Sequence, residues 1–211
     1  MRDAVDRLTP LGVMVLALLR EGDMHPYEMM RLMRQRRDDR LVPITNGTLY
    51  HTVGRLERAG LLGEVGVDRD GNRPERTTYT LRPEGSAAVD EWVRRELPRI
   101  DRPAEFRIAL AEAHKLERTE VADLLRRRRD ALRDDHARLL EGRASAAARG
   151  VPEQFLVEVQ RSEVLLRTDL EWIDVLIGRL DAHAFPWGVA EIPPHSEHAR
   201  NYDIDRKAAR L

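Results

Sequence analysis

Cysteine is absent from the 211-residue chain. That removes disulfides, thiolate catalysis and cysteine-ligated metal sites together, and it fits a reducing cytosol. Lysine is nearly absent: of 36 Lys plus Arg only Lys115 and Lys207 are lysine, leaving 34 arginines, a bias that speaks of codon usage more than of mechanism. No long apolar run occurs. The most hydrophobic window, residues 8–19, is too short to span a bilayer and lacks the small-residue cleavage site of a signal peptide, so the expectation is a soluble, unexported, cytoplasmic protein with no membrane partner. There is no glycine-rich phosphate loop, no G-x-S-x-G elbow and no carboxylate pair in an evident cleft, so neither an enzyme nor a cofactor is expected. His114, His136, His183 and the tail pair His195 and His198 gather no carboxylate or third histidine at ligand spacing on a rigid element, and no metal is expected. Neither charge sign dominates, with 36 Lys plus Arg against 37 Asp plus Glu. Any nucleic-acid footprint must therefore be a local patch.

What the chain does have is centred on residues 45–62, T-N-G-T-L-Y-H-T-V-G-R-L-E-R-A-G-L-L. Thr45 can cap the free N–H groups of a first helical turn, and Gly60 can supply the left-handed residue that closes a helix. Leu49, Val53 and Leu56 form one apolar stripe, while Thr48, His51, Thr52 and Arg55 fall off it. Small hydroxyls, an imidazole and a guanidinium on an exposed face suit a helix that enters a DNA major groove. A merely solvated face has the same composition. Two short strand-like runs follow, residues 61–67 and 76–81, separated by D-R-D-G-N-R-P-E with an Asp70-Gly71 turn signal and Arg69, Arg73 and Arg76 around the tip. A helix followed by an arginine-tipped hairpin is the pattern of a winged helix.

Three motifs carry a resemblance to a known family: H-P-Y-E at residues 25–28, G-T-L-Y-x(5)-L-E-R-x-G-L at 47–61 and T-Y-T-L-R-P-E-G at 78–85. Together they resemble the PadR family of bacterial transcriptional regulators, closely over residues 8–97 and more loosely, like the helical C-terminal region of the family's larger members, to residue 180. The resemblance implies a winged helix whose recognition-helix N-terminus and wing meet DNA. It places Thr45, Asn46, Thr48, Tyr50, His51 and Thr52 near the groove, with Arg55 near a phosphate. For Tyr50, packing within the domain and reaching a phosphate are equally open. Where the family often has Ser-Pro this chain has Thr45-Asn46, and where proline often follows the tyrosine it has His51. Arg69, Arg73 and Arg76 can contact phosphate or a minor groove, or can simply keep an exposed edge soluble.

Around this centre the helical spacing predicts more elements. A first helix runs from Thr9-Pro10 through Leu11, Val15, Leu18 and Leu19. A second opens at His25-Pro26 and ends near Arg36, with Tyr27, Met30 and Met33, or Met29 and Leu32, facing the core. Residues 34–40 read as a charged loop. After the wing, Pro83 starts a helix with Ala87, Ala88, Trp92 and Val93 inward, stopped by Pro98. Residues 99–103 read as a linker and 104–115 as a short helix. Thr119 is expected to cap a long helix to about Ala148, striped by Val121, Leu125, Leu132 and Leu139. Gly150-Val151-Pro152 turns the chain, and residues 153–181 return with Val159, Leu166, Ile173 and Leu180 seven apart. Arg126 to Arg129 read as a solvated, salt-bridged surface. The last stretch, residues 185–211, reads as extended or disordered.

The expected fold is thus mainly α: a winged helix-turn-helix with a two-stranded wing over residues 1–98, an antiparallel helical dimerisation domain over 99–182 and a tail over 183–211. The hairpin's outer apolar residues call for a second copy, with Val159, Leu166, Trp172, Ile173 and Leu180 as dimerisation candidates. The expected function is a sequence-specific, dimeric repressor on an inverted-repeat operator in double-stranded DNA. The resemblance further suggests relief by a small apolar or aromatic effector, with Trp92 as a contact, although core packing explains Trp92 and Trp172 as well. The alternative from another class is a protein-interaction adaptor whose winged helix binds no DNA.

Overall fold

The computed structural model describes residues 5–68, 76–188 and 191–193. It contains seven α-helices and one two-stranded antiparallel sheet among those residues. Helix α1, Pro10–Leu19, is capped by the Thr9 hydroxyl, which accepts from Gly12 N at 3.2 Å, and carries Pro10 in its first turn. Residues 11 to 19 are all buried, and a helix that is apolar on every side belongs at the centre of a core.

Helix α2, Pro26–Gln35, starts from a capping box: the His25 ring accepts from Tyr27 N at 3.0 Å while the Glu28 carboxylate accepts from His25 N at 3.3 Å. It buries Met29, Met30, Leu32 and Met33 together with Pro26. Those five fill the inner face and push Tyr27 out, so Tyr27 is 52% exposed rather than in the core. The expected loop at 34–40 contains a 3-10 turn, Asp38–Arg40, entered through Arg37 in the left-handed region at φ 61°. Arg36 donates to both Glu21 carboxylate oxygens, at 2.7 and 3.0 Å, fastening this turn to the end of α1.

Helix α3, Asn46–Arg58, buries Leu49, Val53 and Leu56 and ends at Gly60, whose φ of 70° suits glycine. Strand β1, Leu62–Asp68, pairs with β2, Arg76–Leu81, with a bulge between Glu64 and Gly66. Met24 and Tyr79 exchange backbone hydrogen bonds of 3.1 Å in both directions, so the chain entering α2 forms a one-residue bridge to β2. Helix α4, Pro83–Glu96, packs Ala88, Val89, Trp92 and Val93 into the core.

Helix α5, Pro103–Glu112, passes through a 3-10 turn, Ala113–Lys115, into the hairpin of α6, Arg118–Ala148, and α7, Val157–Asp181. Thr119 does not cap α6. The helix begins two residues earlier than a Thr119 cap would put it, after an extended Glu117 that makes no side-chain cap bond, because Arg118 is drawn inward to the Phe185 carbonyl at 3.0 Å and the Glu191 carboxylate. The return segment starts with a 3-10 turn, Glu153–Phe155, before α7 proper.

Val121, Leu125, Leu132, Ile173, Ile177 and Leu180 join the same buried cluster as the winged helix, so the core runs unbroken from Val5 to Leu180. Burial fades toward the turn of the hairpin, where Leu139 and Val159 are half-buried and Leu140, Phe155 and Val157 are exposed. Arg126 pairs with Asp123 and Asp181, and Arg129 with Asp130 and Asp174, as a solvated basic run would. Arg128 differs. It is buried, with its guanidinium 3.5 Å over the Phe106 ring and one nitrogen donating to the Arg99 carbonyl, and burial pushes its pKa down.

The beginning of the tail also departs from the expected extended chain. Trp187 donates from its indole N–H to the Leu116 carbonyl at 2.9 Å, Arg179 lies 4.6 Å over the Phe185 ring, and both aromatics pack on the core. His195 and His198 lie outside the described residues. No described helix is long and apolar enough to cross a membrane.

Candidate nucleic-acid interface

The N-terminal half of α3 projects a polar surface because both its ends are chemically fixed. Thr45 Oγ1 accepts from Thr48 N at 3.1 Å, and Thr48 Oγ1 accepts from Thr45 N at 3.0 Å, a reciprocal box that needs only two hydroxyls. Thr45, Asn46, Thr48, Tyr50 and His51 are all exposed. The Tyr50 ring, 50% exposed, meets the edge of His25 at a centroid distance of 6.3 Å, which braces it against the start of α2.

Two of the sequence-derived residues sit differently. Thr52 is buried, its hydroxyl donating to the Thr48 carbonyl at 2.7 Å. It lies three residues after Leu49 and four before Leu56, which puts it on the flank of the apolar stripe, and its hydroxyl is satisfied inside the helix. Arg55 is half-buried and reaches back to α1, donating to the Thr9 hydroxyl at 2.7 Å. It ties α3 to the cap of α1.

Arg69 and Arg73 lie outside the described residues. Arg76 is the first residue of β2 and pairs in register with Asp68. Tyr79, in the middle of β2, is half-buried, and burial pushes its phenol pKa up, with Glu57 and Glu64 adding to the effect. The surface beside α3 has neighbours that the periodicity reading assigned elsewhere or passed over. Tyr27 stands on α2 in the open, and Arg31, one turn on, places its guanidinium 5.9 Å from the Tyr27 ring centroid. Their i, i+4 spacing was the available signal.

Trp92 is 1% exposed and packed in the core of the winged helix, so its side chain offers no face to a ligand in this conformation. Of the dimerisation candidates, Ile173 is 1% exposed and Leu180 is fully buried inside one chain, where they hold α7 against α6 and have nothing left to present to a second copy. Val159 and Leu166 are half-buried, and Trp172 is 43% exposed. Val164, Leu165 and Val175 share that outward side of α7 and were not singled out by the seven-residue stripe.

Residues 15–91 match the model of the transcriptional regulator PadR-like family. No curated protein matches the chain. Among solved structures it is similar to Bacillus subtilis PadR in complex with operator DNA, at 17% identity over 81% of this chain and 98% of that one, with a TM-score of 0.39. It is similar also to smu.1604c from Streptococcus mutans UA159, at 18% identity over 82% and 97%, with a TM-score of 0.38. A third is Bacillus subtilis PadR in complex with p-coumaric acid, at 16% identity over 82% and 96%, with a TM-score of 0.35. Over residues 15–91, the winged-helix half, the chain is thus similar to the PadR-like family of transcriptional regulators.

Proposed function

We propose that the protein is a dimeric, sequence-specific repressor that binds an inverted-repeat operator and is released by a small apolar or aromatic effector. The observation that carries the DNA-binding part is the capped, wholly polar exposed end of α3 beside an antiparallel wing. Thr48 and His51 read base edges, Thr45, Asn46 and Tyr50 position the helix, and Arg69, Arg73 and Arg76 on the wing meet phosphate. Thr52 acts from within α3 by fixing the Thr48 carbonyl, and Arg55 acts by tying α3 to α1.

Dimerisation is assigned to the outward side of α7, where Trp172, Leu165, Val164 and Val175 form an apolar strip that a single chain leaves wet. Two copies joined there would set their recognition helices in successive major grooves, about 34 Å apart. In this reading residues 1–98 bind DNA, 99–182 assemble the dimer, and an effector acts by favouring a spacing that the operator cannot accept. A swing from 1:99 to 99:1 requires about 5.5 kcal/mol of differential affinity. Because Trp92 is enclosed, an effector that touches it must bind a form in which the α4 packing has opened.

Gel retardation of the chain's own upstream DNA across a salt series tests the DNA-binding reading. Selective retardation that weakens steeply as salt rises is expected. Absence of retardation for any duplex at low salt would make the winged helix an adaptor for another protein.

A further inference from the structure

We infer that α2 provides a second DNA-backbone contact in which Arg31, seated on the Tyr27 ring, grips a phosphate at the flank of the site read by α3. The inference rests on the DNA-binding reading above and extends it to a helix outside the recognition motif.

An aromatic ring that is 52% exposed at the start of a well-capped helix is not explained by packing, since α2 already buries four apolar side chains and Pro26 on its other face. Tyr27 instead supports Arg31, whose guanidinium carbon lies 5.9 Å from the ring centroid. The chain has as many acids as bases, and Arg20, Arg36, Arg94 and Arg126 each hold a carboxylate at 2.6 or 2.7 Å. Arg31 makes no ion pair among the described residues. A guanidinium over a ring face keeps its in-plane N–H groups for another acceptor, and a planar fork suits phosphate oxygens.

The pair is also continuous with the recognition helix. His25 accepts from the Tyr27 backbone N–H and presents its ring to Tyr50 at 71°, so Arg31, Tyr27, His25 and Tyr50 form one surface running from α2 onto α3. When the second helix of a helix-turn-helix enters the major groove, the preceding helix crosses the sugar-phosphate backbone. That crossing brings this surface to phosphate. Tyr27 acts on the strand only through Arg31, and neither side chain reads a base.

The test uses the full chain, its upstream fragment and a random duplex of equal length, with affinity measured over a salt series. Arg31→Gln is expected to weaken both duplexes by the same factor and to lower the salt slope by about one. Tyr27→Ala should weaken binding in the parent but not in the Arg31→Gln background, because the ring acts through the guanidinium. Arg138→Gln removes one exposed positive charge from α6 and controls for net charge, and it should leave affinity and slope near the parent's. Thermal melting checks that each exposed-site variant is folded, with Tyr27→Phe, which keeps the platform, as the milder probe. If the parent retards DNA and Arg31→Gln keeps its slope, or loses no more than Arg138→Gln, the α2 contact is wrong and the α3 reading stands. If the parent retards neither duplex at low salt, both fall together.

Discussion

Gly85 runs so close under the carbonyl of Leu61 that a β-carbon on it would overlap the oxygen and also press Leu81 Cδ1 at 2.8 Å. The same carbonyl accepts from Arg82 N at 3.1 Å, so the end of α3, the end of β2 and the start of α4 meet at one point. That is the physical content of the glycine in the R-P-E-G motif. Gly85→Ala should therefore cost about 1–3 kcal/mol, as overpacking in a tight site does. Urea unfolding measures it, and an unchanged midpoint would show that the wing and α4 can separate without penalty.

Burial pushes the Glu112 carboxyl above its ordinary range, opposed by Lys115 and Arg20 and helped by Glu21 and Asp38, and burial likewise raises Asp38 against Arg36 and Arg40. An acid whose folded pKa is raised gives stability that is complete below its unfolded value and is lost as pH rises through the folded one. Glu112→Gln should then be more stable than the parent at neutral pH, with the difference vanishing in acid. Paired denaturation curves at several pH values decide it. A gap that widened toward acid would reverse the sign and refute the assignment.

Arg128 is a buried cation that, among the described residues, holds no carboxylate and finds no hydrogen-bond partner for its Nε. Replacing a buried ion pair by well-packed apolar residues is often neutral or stabilising by about 1–4 kcal/mol, and a buried cation without a carboxylate has less attraction to lose. Arg128→Met is expected to follow that rule while Arg128→Ala, which also strips the cover from Phe106, destabilises. Thermal melting of the two variants tells them apart. A Met variant as weak as the Ala one would mean that the bond to the Arg99 carbonyl outweighs the desolvation.

Trp172 and Ile173 are sequence neighbours with opposite environments, one open and one sealed. Trp172→Glu should give a folded monomer by sedimentation, whereas Ile173→Glu should unfold the hairpin, because a carboxylate there would be buried unpaired. A Trp172→Glu protein that remained dimeric would move the interface away from the outward side of α7.

The elements read correctly from sequence are those whose chemistry is local. Thr9, His25 and Thr45 cap the helices that follow them within three residues, and Gly60 closes α3 with its own φ. Misreadings arise where a distant partner decides. Thr119 has the right chemistry for a cap, but Arg118 is held by Phe185 and Glu191, far along the chain, and the helix starts to suit Arg118. Phe185 and Trp187 lie in an aperiodic stretch, so nothing nearby indicates that they pack on the body. Ile173 and Leu180 share one heptad position with Val159, yet the former pair are sealed in the common core while Val159 is half-buried. Periodicity reports which side of a helix is apolar; it does not report how far along the helix the cover extends.

That uneven cover makes the hairpin a lever. At 1.5 Å per residue, the 31 residues of α6 reach about 46 Å, and a tilt of roughly 5° at the base carries the far end through about 4 Å. The base is seated in the common core, and among the described residues the outer turns lie outside that buried cluster. Displacements too small to disturb a side-chain rotamer near Leu125 or Ile177 are thus magnified at the turn, and a partner clamped near the tip would feel a stroke close to the rise between neighbouring base pairs.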